Sequence, residues 1–293
     1  MGNMSEYLKY NLYGYGAILL WSFAALIVNL MPSIPPLFIA CLSSSVALFF
    51  YILLWCRKPA RFKKIFSQPP IIWVLFFASV VAYRGFYLTG LKLAPIVEAN
   101  LLNYLWPLLI VLLPAFIDKK SLSKYVVTGA VCCFAGVVCI AISKKISNLS
   151  FEPGHFLAIA AAITWAVYSI YTKRHPGASL DMIGIMHFIA AILFYSLHVT
   201  FEKHLSFADI PTIEIIYVAY LGAAAFAGYI LWDKAMTHGD REKIAVAAYY
   251  TPLLSTLWLI LLGNVAMSPL IWLAACLILG GSLFARFKSY KIK

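Results

Sequence analysis

The sequence predicts an all-α polytopic membrane protein: ten transmembrane helices in two inverted five-helix repeats, with both termini cytoplasmic. Three observations lead there. Of the 293 residues, 63% are hydrophobic and 12% charged, which leaves too little polar surface to coat a soluble globule. Stretches of about 20 apolar residues, long enough to cross a hydrocarbon core of roughly 30 Å, recur along the whole chain. They fall at residues 11–31, 36–56, 70–90, 95–117, 124–142, 154–173, 180–200, 213–236, 242–262 and 268–287. The second half also answers the first at an offset of 143 to 145 residues. Trp21 pairs with Trp165, Gly85 with Gly228, Tyr104 and Pro107 with Tyr249 and Pro252, and Cys132 and Gly136 with Cys276 and Gly280. The repeats are expected at 1–147 and 148–293. Because five is odd, the two copies must enter the membrane from opposite sides.

The net charge of +12 belongs to loops rather than to a folded basic face, so no nucleic-acid partner is expected. One set of alternate helix ends carries Lys9, the cluster Arg57, Lys58, Arg61, Lys63 and Lys64, then Lys119, Lys120, Lys124, Lys173, Arg174, Lys234, Arg241, Lys243 and the basic C-terminus. The other set carries only Lys92, Lys144, Lys145 and Lys203. The positive-inside rule puts the richer set, and with it both termini, in the cytoplasm. Membrane lipid accounts for the basic surplus. The chain is expected to work as a monomer, with oligomers left open. The six cysteines lie in or beside apolar runs without metal-ligand spacing and read as reduced packing residues. No metal and no cofactor is expected. The first apolar run spans and lacks a cleavage pattern, so it reads as a retained helix.

Taken in order, the first helix carries Trp21 near its middle and ends at Met31-Pro32. Pro35-Pro36 then starts the second helix, which ends in the basic loop to Lys64. Gln68-Pro69-Pro70 opens the third, with Tyr83, Phe86 and Tyr87 on one face and Arg84 beside them. Pro95 suits the first turn of the fourth, placing Glu98 where a carboxylate favours the helix dipole. Ser121 and Ser123 are candidate caps of the fifth, whose Cys132 and Gly136 form a small-residue packing edge.

The candidate site is the stretch Asn100 to Pro107. Asn100, Asn103, Tyr104 and Pro107 fall at i, i+3, i+4 and i+7, a polar and aromatic helix face with Trp106 beside it. Pro107 lacks an N–H and clashes with the carbonyl of residue 103, so a kink is expected there. Polar groups freed at membrane depth are tolerated where they border a cavity. Pro252 repeats the kink, and both prolines are candidate hinges. The expected substrate-binding residues converge on this level: Trp21, Tyr83, Tyr87, Asn103, Tyr104, Trp106, Trp165, Tyr168, Tyr249 and Tyr250. Indoles and phenols offer stacking faces with hydroxyl and N–H donors, and they suit a cation through the ring quadrupole.

The run Ile96 to Pro107, with Thr164-Trp165-Ala166 and Tyr249-Tyr250-Thr251-Pro252-Leu253-Leu254-Ser255, resembles the EamA family of the drug/metabolite transporter superfamily. Within it, the chain is similar to a group of aromatic amino acid exporters. The resemblance runs through essentially all ten helices. It implies a secondary carrier of the bacterial inner membrane that moves a small-molecule substrate through a central aromatic-lined cavity. The runner-up is a carrier of another metabolite: a nucleotide derivative, a nucleobase or a quaternary ammonium. Arg84 departs from the pattern.

Arg84 lies roughly 9 Å of helix from the outer end. It can snorkel outward, bind a substrate carboxylate or pair with Glu98. Glu98 reads as a dipole or packing partner rather than a proton site. His187, in the seventh helix, reads as a satisfied interhelical histidine. Asn100 and Asn103 can also serve as interhelical bridges worth roughly 1 kcal/mol each. No catalytic residue is assigned, since no paired intramembrane carboxylates, His-x-x-x-His or Gly-x-Ser-x-Gly occur. A channel would need rings of like side chains around a pore, whereas broken helices between inverted halves call for alternating access.

Overall fold

The structure is a computed structural model that describes residues 4–94, 99, 102–117, 123–143, 152–172, 174–175, 180–202, 205, 207–263 and 269–286. The expectations placed on Pro95, Glu98, Asn100 and Ser121 lie outside these residues. The described chain is helical, and no strand occurs in it. In order come α1 (Met4–Ser22), α2 (Ala24–Asn29), α3 (Pro36–Arg57), α4 (Pro59–Lys63), α5 (Pro70–Phe77), α6 (Tyr83–Leu93) and α7 (Leu105–Ile117). The second half contributes α8 (Lys124–Ser143), α9 (Pro153–Thr172), α10 (Met182–Phe201), α11 (Thr212–His238), α12 (Arg241–Ala247), α13 (Tyr250–Gly263) and α14 (Pro269–Arg286). Among the described residues, seven stretches are long and apolar enough to cross a membrane, and Leu105–Pro114, Lys124–Cys139 and Pro269–Ala285 are shorter apolar helices. The protein is a multi-pass membrane protein.

Several helix starts follow from proline chemistry. Pro36, Pro59 and Pro70 each occupy the first helical position, where the missing N–H costs nothing and φ is already set. The breaks follow from it too. Tyr104 interrupts the helix ahead of Pro107, and Ala248 and Tyr249 interrupt it ahead of Pro252. Because Pro252 cannot donate to Ala248, that carbonyl accepts from Thr251 N at 2.9 Å, while Tyr249 N turns to Val246 O. The tightened turn is the local price of the proline. Two further breaks have no proline behind them. Phe23 divides the first span, and Ala78–Ala82 form a π-helical turn between α5 and α6.

Packing pairs the two halves symmetrically. The corresponding helices α3 and α10 lie against each other, as do α8 and α14. α1 packs on α11 and, as its counterpart, α9 on α6; α9 meets α7 as α1 meets α13. Each contact thus has its image in the other half, as two interlocked repeats require. The α8–α14 seam is close because Gly129 and Gly281 face each other's backbone carbonyls and Cys133 Sγ lies 3.3 Å from the Ile278 carbonyl. Gly280 faces open space and Cys276 is exposed. The edge on the last helix therefore runs through Ala274, Ile278 and Gly281 rather than through the Cys276 and Gly280 of the repeat match. Cys56 is exposed as well, so these two cysteines are not packing residues.

The α3–α10 pair is tied at both ends. Asp181 accepts from Trp55 Nε1 at 3.0 Å and from Arg61 Nε at 3.1 Å. At the other end Glu202 accepts from the Leu37 backbone N–H at 2.9 Å and meets His198 Nδ1 at 2.9 Å, while the His198 ring stacks on Phe38. Each carboxylate flanks α10, and both are nearly buried. A cavity of about 330 Å³ lies on the outside of the bundle between α3 and α11, lined by Ile34, Leu42, Val46, Phe49, Phe207 and Val218 among others.

Candidate functional site

Trp165 of α9 is the centre of a buried ring cluster. Its indole lies 5.5 Å from Trp21, 5.1 Å from Tyr83, 6.2 Å from Trp106, 5.6 Å from Tyr168, 5.4 Å from Tyr229 and 6.2 Å from Trp232. These rings come from α1, α6, α7, α9 and α11, so the cluster is where both halves meet. Most pairs are tilted or edge-on, the orientation favoured by the ring quadrupole. Trp165 is 4% exposed and Trp232 fully buried. The rings therefore pack on one another in this conformation, which is contracted at this level.

Local features bring each ring in. A Cβ on Gly228 would overlap the Trp21 indole, so the absence of a side chain lets Trp21 lie directly on α11. The Trp232 N–H donates to Ser169 Oγ at 3.1 Å and the Tyr168 hydroxyl to Asp233 Oδ1 at 3.1 Å. The Tyr229 hydroxyl donates to the Ser79 carbonyl at 2.7 Å, inside the π-helical turn. That turn sits immediately before Tyr83 and re-aims the helix that carries it.

The sequence-derived residues divide into two groups. Trp21, Tyr83, Trp106, Trp165 and Tyr168 are brought together, and Tyr87 joins through a stacked contact with Tyr83 at 6.0 Å. Asn103, 4% exposed, points Nδ2 at the Tyr83 hydroxyl at 3.4 Å, and its Oδ1 has no partner among the described residues. Tyr104 is half-buried beside the core. The ninth-span tyrosines stand apart: Tyr249 faces Phe134 at 6.5 Å, and the Tyr250 hydroxyl bonds Ser282 Oγ at 2.6 Å. Pro107 and Pro252 each follow their helix break. Two cluster members went unrecognised in the sequence, Tyr229 and Trp232, together with Asp233. They lie at i, i+3 and i+4 directly after Gly228, on the helix that repeats the one bearing Tyr83, and the repeat itself was the available signal.

His187 departs from expectation. It is fully buried, and neither ring nitrogen has a hydrogen-bond partner among the described residues. Arg84 neither snorkels free nor pairs with an acid among the described residues; its guanidinium donates to Ser43 Oγ at 2.8 Å. Among the described residues no group of three or more His, Cys, Asp or Glu side chains converges on a metal position.

A membrane bundle of two sequence-related, interlocked halves that meet at a buried aromatic centre has the plan of a solute transporter. The comparisons agree. Residues 8–142 and 152–287 each match the EamA-like transporter family, so the chain belongs to that family and carries two of its repeats; it is a transporter, not an enzyme. It is 32% identical over 278 residues to the aromatic amino acid exporter YddG of Ancylobacter novellus, covering 94% of this chain and 96% of that relative. The aromatic amino acid exporter YddG of Escherichia coli (strain K12) is 26% identical over 195 residues, 64% of this chain and 66% of that protein. A solved crystal structure aligns with a TM-score of 0.87 at 30% identity, covering 98% of this chain and 100% of that one.

Proposed function

We propose that this protein is a secondary transporter that exports aromatic amino acids across the bacterial inner membrane by alternating access. Its ten spans form two inverted five-helix repeats with both termini cytoplasmic, and the monomer suffices, surrounded by membrane lipid. The observation that carries this reading is the Trp165 ring cluster at the meeting of the two halves, together with relatives named as aromatic amino acid exporters. A substrate ring enters by separating these contacts and replaces them with its own, so little aromatic stacking is lost on binding. The halves then rock about the broken helices, exposing the cluster to one side at a time. Trp21, Tyr83, Tyr87, Asn103, Tyr104, Trp106, Trp165 and Tyr168 act at the site, with Tyr229 and Trp232 added. Tyr249 and Tyr250 are proposed to reach it only in another conformation.

The test is counterflow of labelled tryptophan in proteoliposomes, comparing wild type with Trp165→Ala and Trp165→Phe. Saturable flux inhibited by phenylalanine, strongly reduced in Trp165→Ala and partly retained in Trp165→Phe, supports the reading. Absence of tryptophan flux from folded wild-type protein overturns it. The same cage favours an organic cation; strong inhibition by a quaternary ammonium and none by phenylalanine would transfer the assignment to that class.

A further inference from the structure

We propose that the segment joining α3 to α5 binds the headgroup of an anionic phospholipid, and that Arg61 divides its donors between that headgroup and Asp181, so that the lipid tightens the clamp between α3 and α10. The inference goes beyond the transport reading. It stands on the membrane location of the spans and not on the identity of the solute.

Arg57, Lys58, Arg61, Lys63 and Lys64 crowd into residues 57–64, and the chain carries no Asp or Glu between Glu6 and Glu98. The counter-charge comes from α10 alone among the described residues: Asp181 pairs with Arg61, while Arg57, Lys58, Lys63 and Lys64 are exposed and have no described partner. This segment cannot leave the bilayer surface. The span Pro36–Arg57 ends where it begins, and the span Pro70–Gly90 begins where it ends. Basic residues held at that level face headgroups, and each favours anionic lipid by about five-fold.

Exposed lysines alone would describe a solvated loop, but this segment is ordered and carries exposed rings. Lys64 N bonds the Arg61 carbonyl at 3.1 Å and Ile65 N the Phe62 carbonyl at 3.1 Å, while Ser67 Oγ and Gln68 Nε2 both donate to the Lys64 carbonyl. Ile65 is fully buried and pins the turn to the bundle. Phe66 is 66% exposed and Phe62 37%, yet they belong to a stair of rings running from one span to the next. Trp55 lies 5.0 Å from Phe62, Phe62 lies 5.4 Å from Phe66, and Phe66 lies 6.5 Å from Trp73. Apolar rings beside cations at a span end suit the membrane interface, with the rings toward the acyl chains and the cations among the phosphates. A soluble anion would use the cations and leave the rings in water.

Arg61 connects this surface to the helix packing. Its Nε donates to both Asp181 oxygens, each at 3.1 Å, and Asp181 also accepts from Trp55 Nε1 at 3.0 Å. The Arg61 side chain is 38% exposed, and its terminal N–H groups have no described partner. A guanidinium presents five donors in a planar fork, so one edge serves Asp181 and the other is free for a phosphate. A half-exposed ion pair loses strength to the freedom of its long side chain. A headgroup that fixes Arg61 removes that freedom and holds Asp181, and with it the start of α10, more firmly against α3.

The experiment titrates the full chain in a neutral detergent with phosphatidylglycerol or phosphatidylcholine, counting bound lipid by native mass spectrometry and following the thermal midpoint in parallel. Wild type should retain phosphatidylglycerol roughly ten-fold more tightly or better, and its midpoint should rise with the anionic lipid only. Lys63→Gln combined with Lys64→Gln should weaken phosphatidylglycerol binding by roughly ten-fold or more and leave phosphatidylcholine unaffected. Arg61→Lys keeps the charge without the planar fork, so lipid should still bind while the rise in midpoint is lost. Glycerol 3-phosphate at the same concentration should neither displace the lipid nor raise the midpoint. Equal retention of the two lipids by wild type overturns the inference, as does unchanged phosphatidylglycerol binding in the lysine variant. Displacement by glycerol 3-phosphate would reassign the site to a soluble anion, and a full midpoint rise in Arg61→Lys would remove the link to the clamp. Should the lysine variant not fold, Arg57→Gln combined with Lys58→Gln carries the same comparison.

Discussion

Gly228 illustrates how a single position controls the aromatic centre. Its missing Cβ is what allows the Trp21 indole to lie on α11, and Trp21 in turn touches Trp165, Tyr229 and Trp232. Gly228→Ala should force Trp21 aside, an overpacking cost of about 1–3 kcal/mol, partly offset by the better helix propensity of alanine. The expected outcome is a lower thermal midpoint and weaker tryptophan counterflow. Introducing Gly228→Ala into a Trp21→Ala background should cost far less than in wild type, and a thermal-unfolding double-mutant cycle checks this. Additive costs would show that Trp21 is not what the glycine accommodates. The repeat match with Gly85 marked this glycine in the sequence. Its contact with Trp21 was not legible, because a close approach between distant helices leaves no local signature.

In the alternating access proposed for this protein, the broken helices are the bending elements. Tyr104 precedes Pro107 and Tyr249 precedes Pro252 by the same three residues, and in both the interruption falls in that turn. A freed carbonyl and a bend are local consequences of proline, so these breaks could be anticipated from the sequence. The Phe23 break and the π-helical turn at Ala78–Ala82 could not, since no proline marks them. We expect Pro107→Ala and Pro252→Ala to lower turnover several-fold while half-saturation changes by less than about two-fold, as for a hinge away from the bound ring. Counterflow at graded tryptophan concentrations checks this, and unchanged kinetics in both variants would remove the hinge role.

The whole bundle is organised by the exchange of contacts between its halves. First-repeat helices pack on second-repeat helices in matched pairs, which is why neither half holds the ring cluster alone. The opposed insertion proposed for the halves has a direct test: single cysteines in a cysteine-free background, labelled from each side of right-side-out vesicles. Positions in the Lys58 to Lys64 loop and near both termini should react only from inside, and positions between Pro32 and Pro35 only from outside. Labelling of the termini from opposite sides would exclude an even number of spans.

Composition, span length and the internal offset were enough to establish a duplicated helical membrane protein, because a bilayer enforces hydrophobic length and helical backbone bonding directly on the sequence. Proline positions likewise announced the breaks, and the repeated tryptophans and tyrosines announced most of the ring cluster. Folding in three dimensions selected which aromatics meet. It brought in Tyr229 and Trp232, and turned Tyr249 toward Phe134 and Tyr250 toward Ser282. Such choices depend on the rotation and crossing of each helix against partners far away in sequence, and those are set by packing across the two halves rather than by any local run of residues.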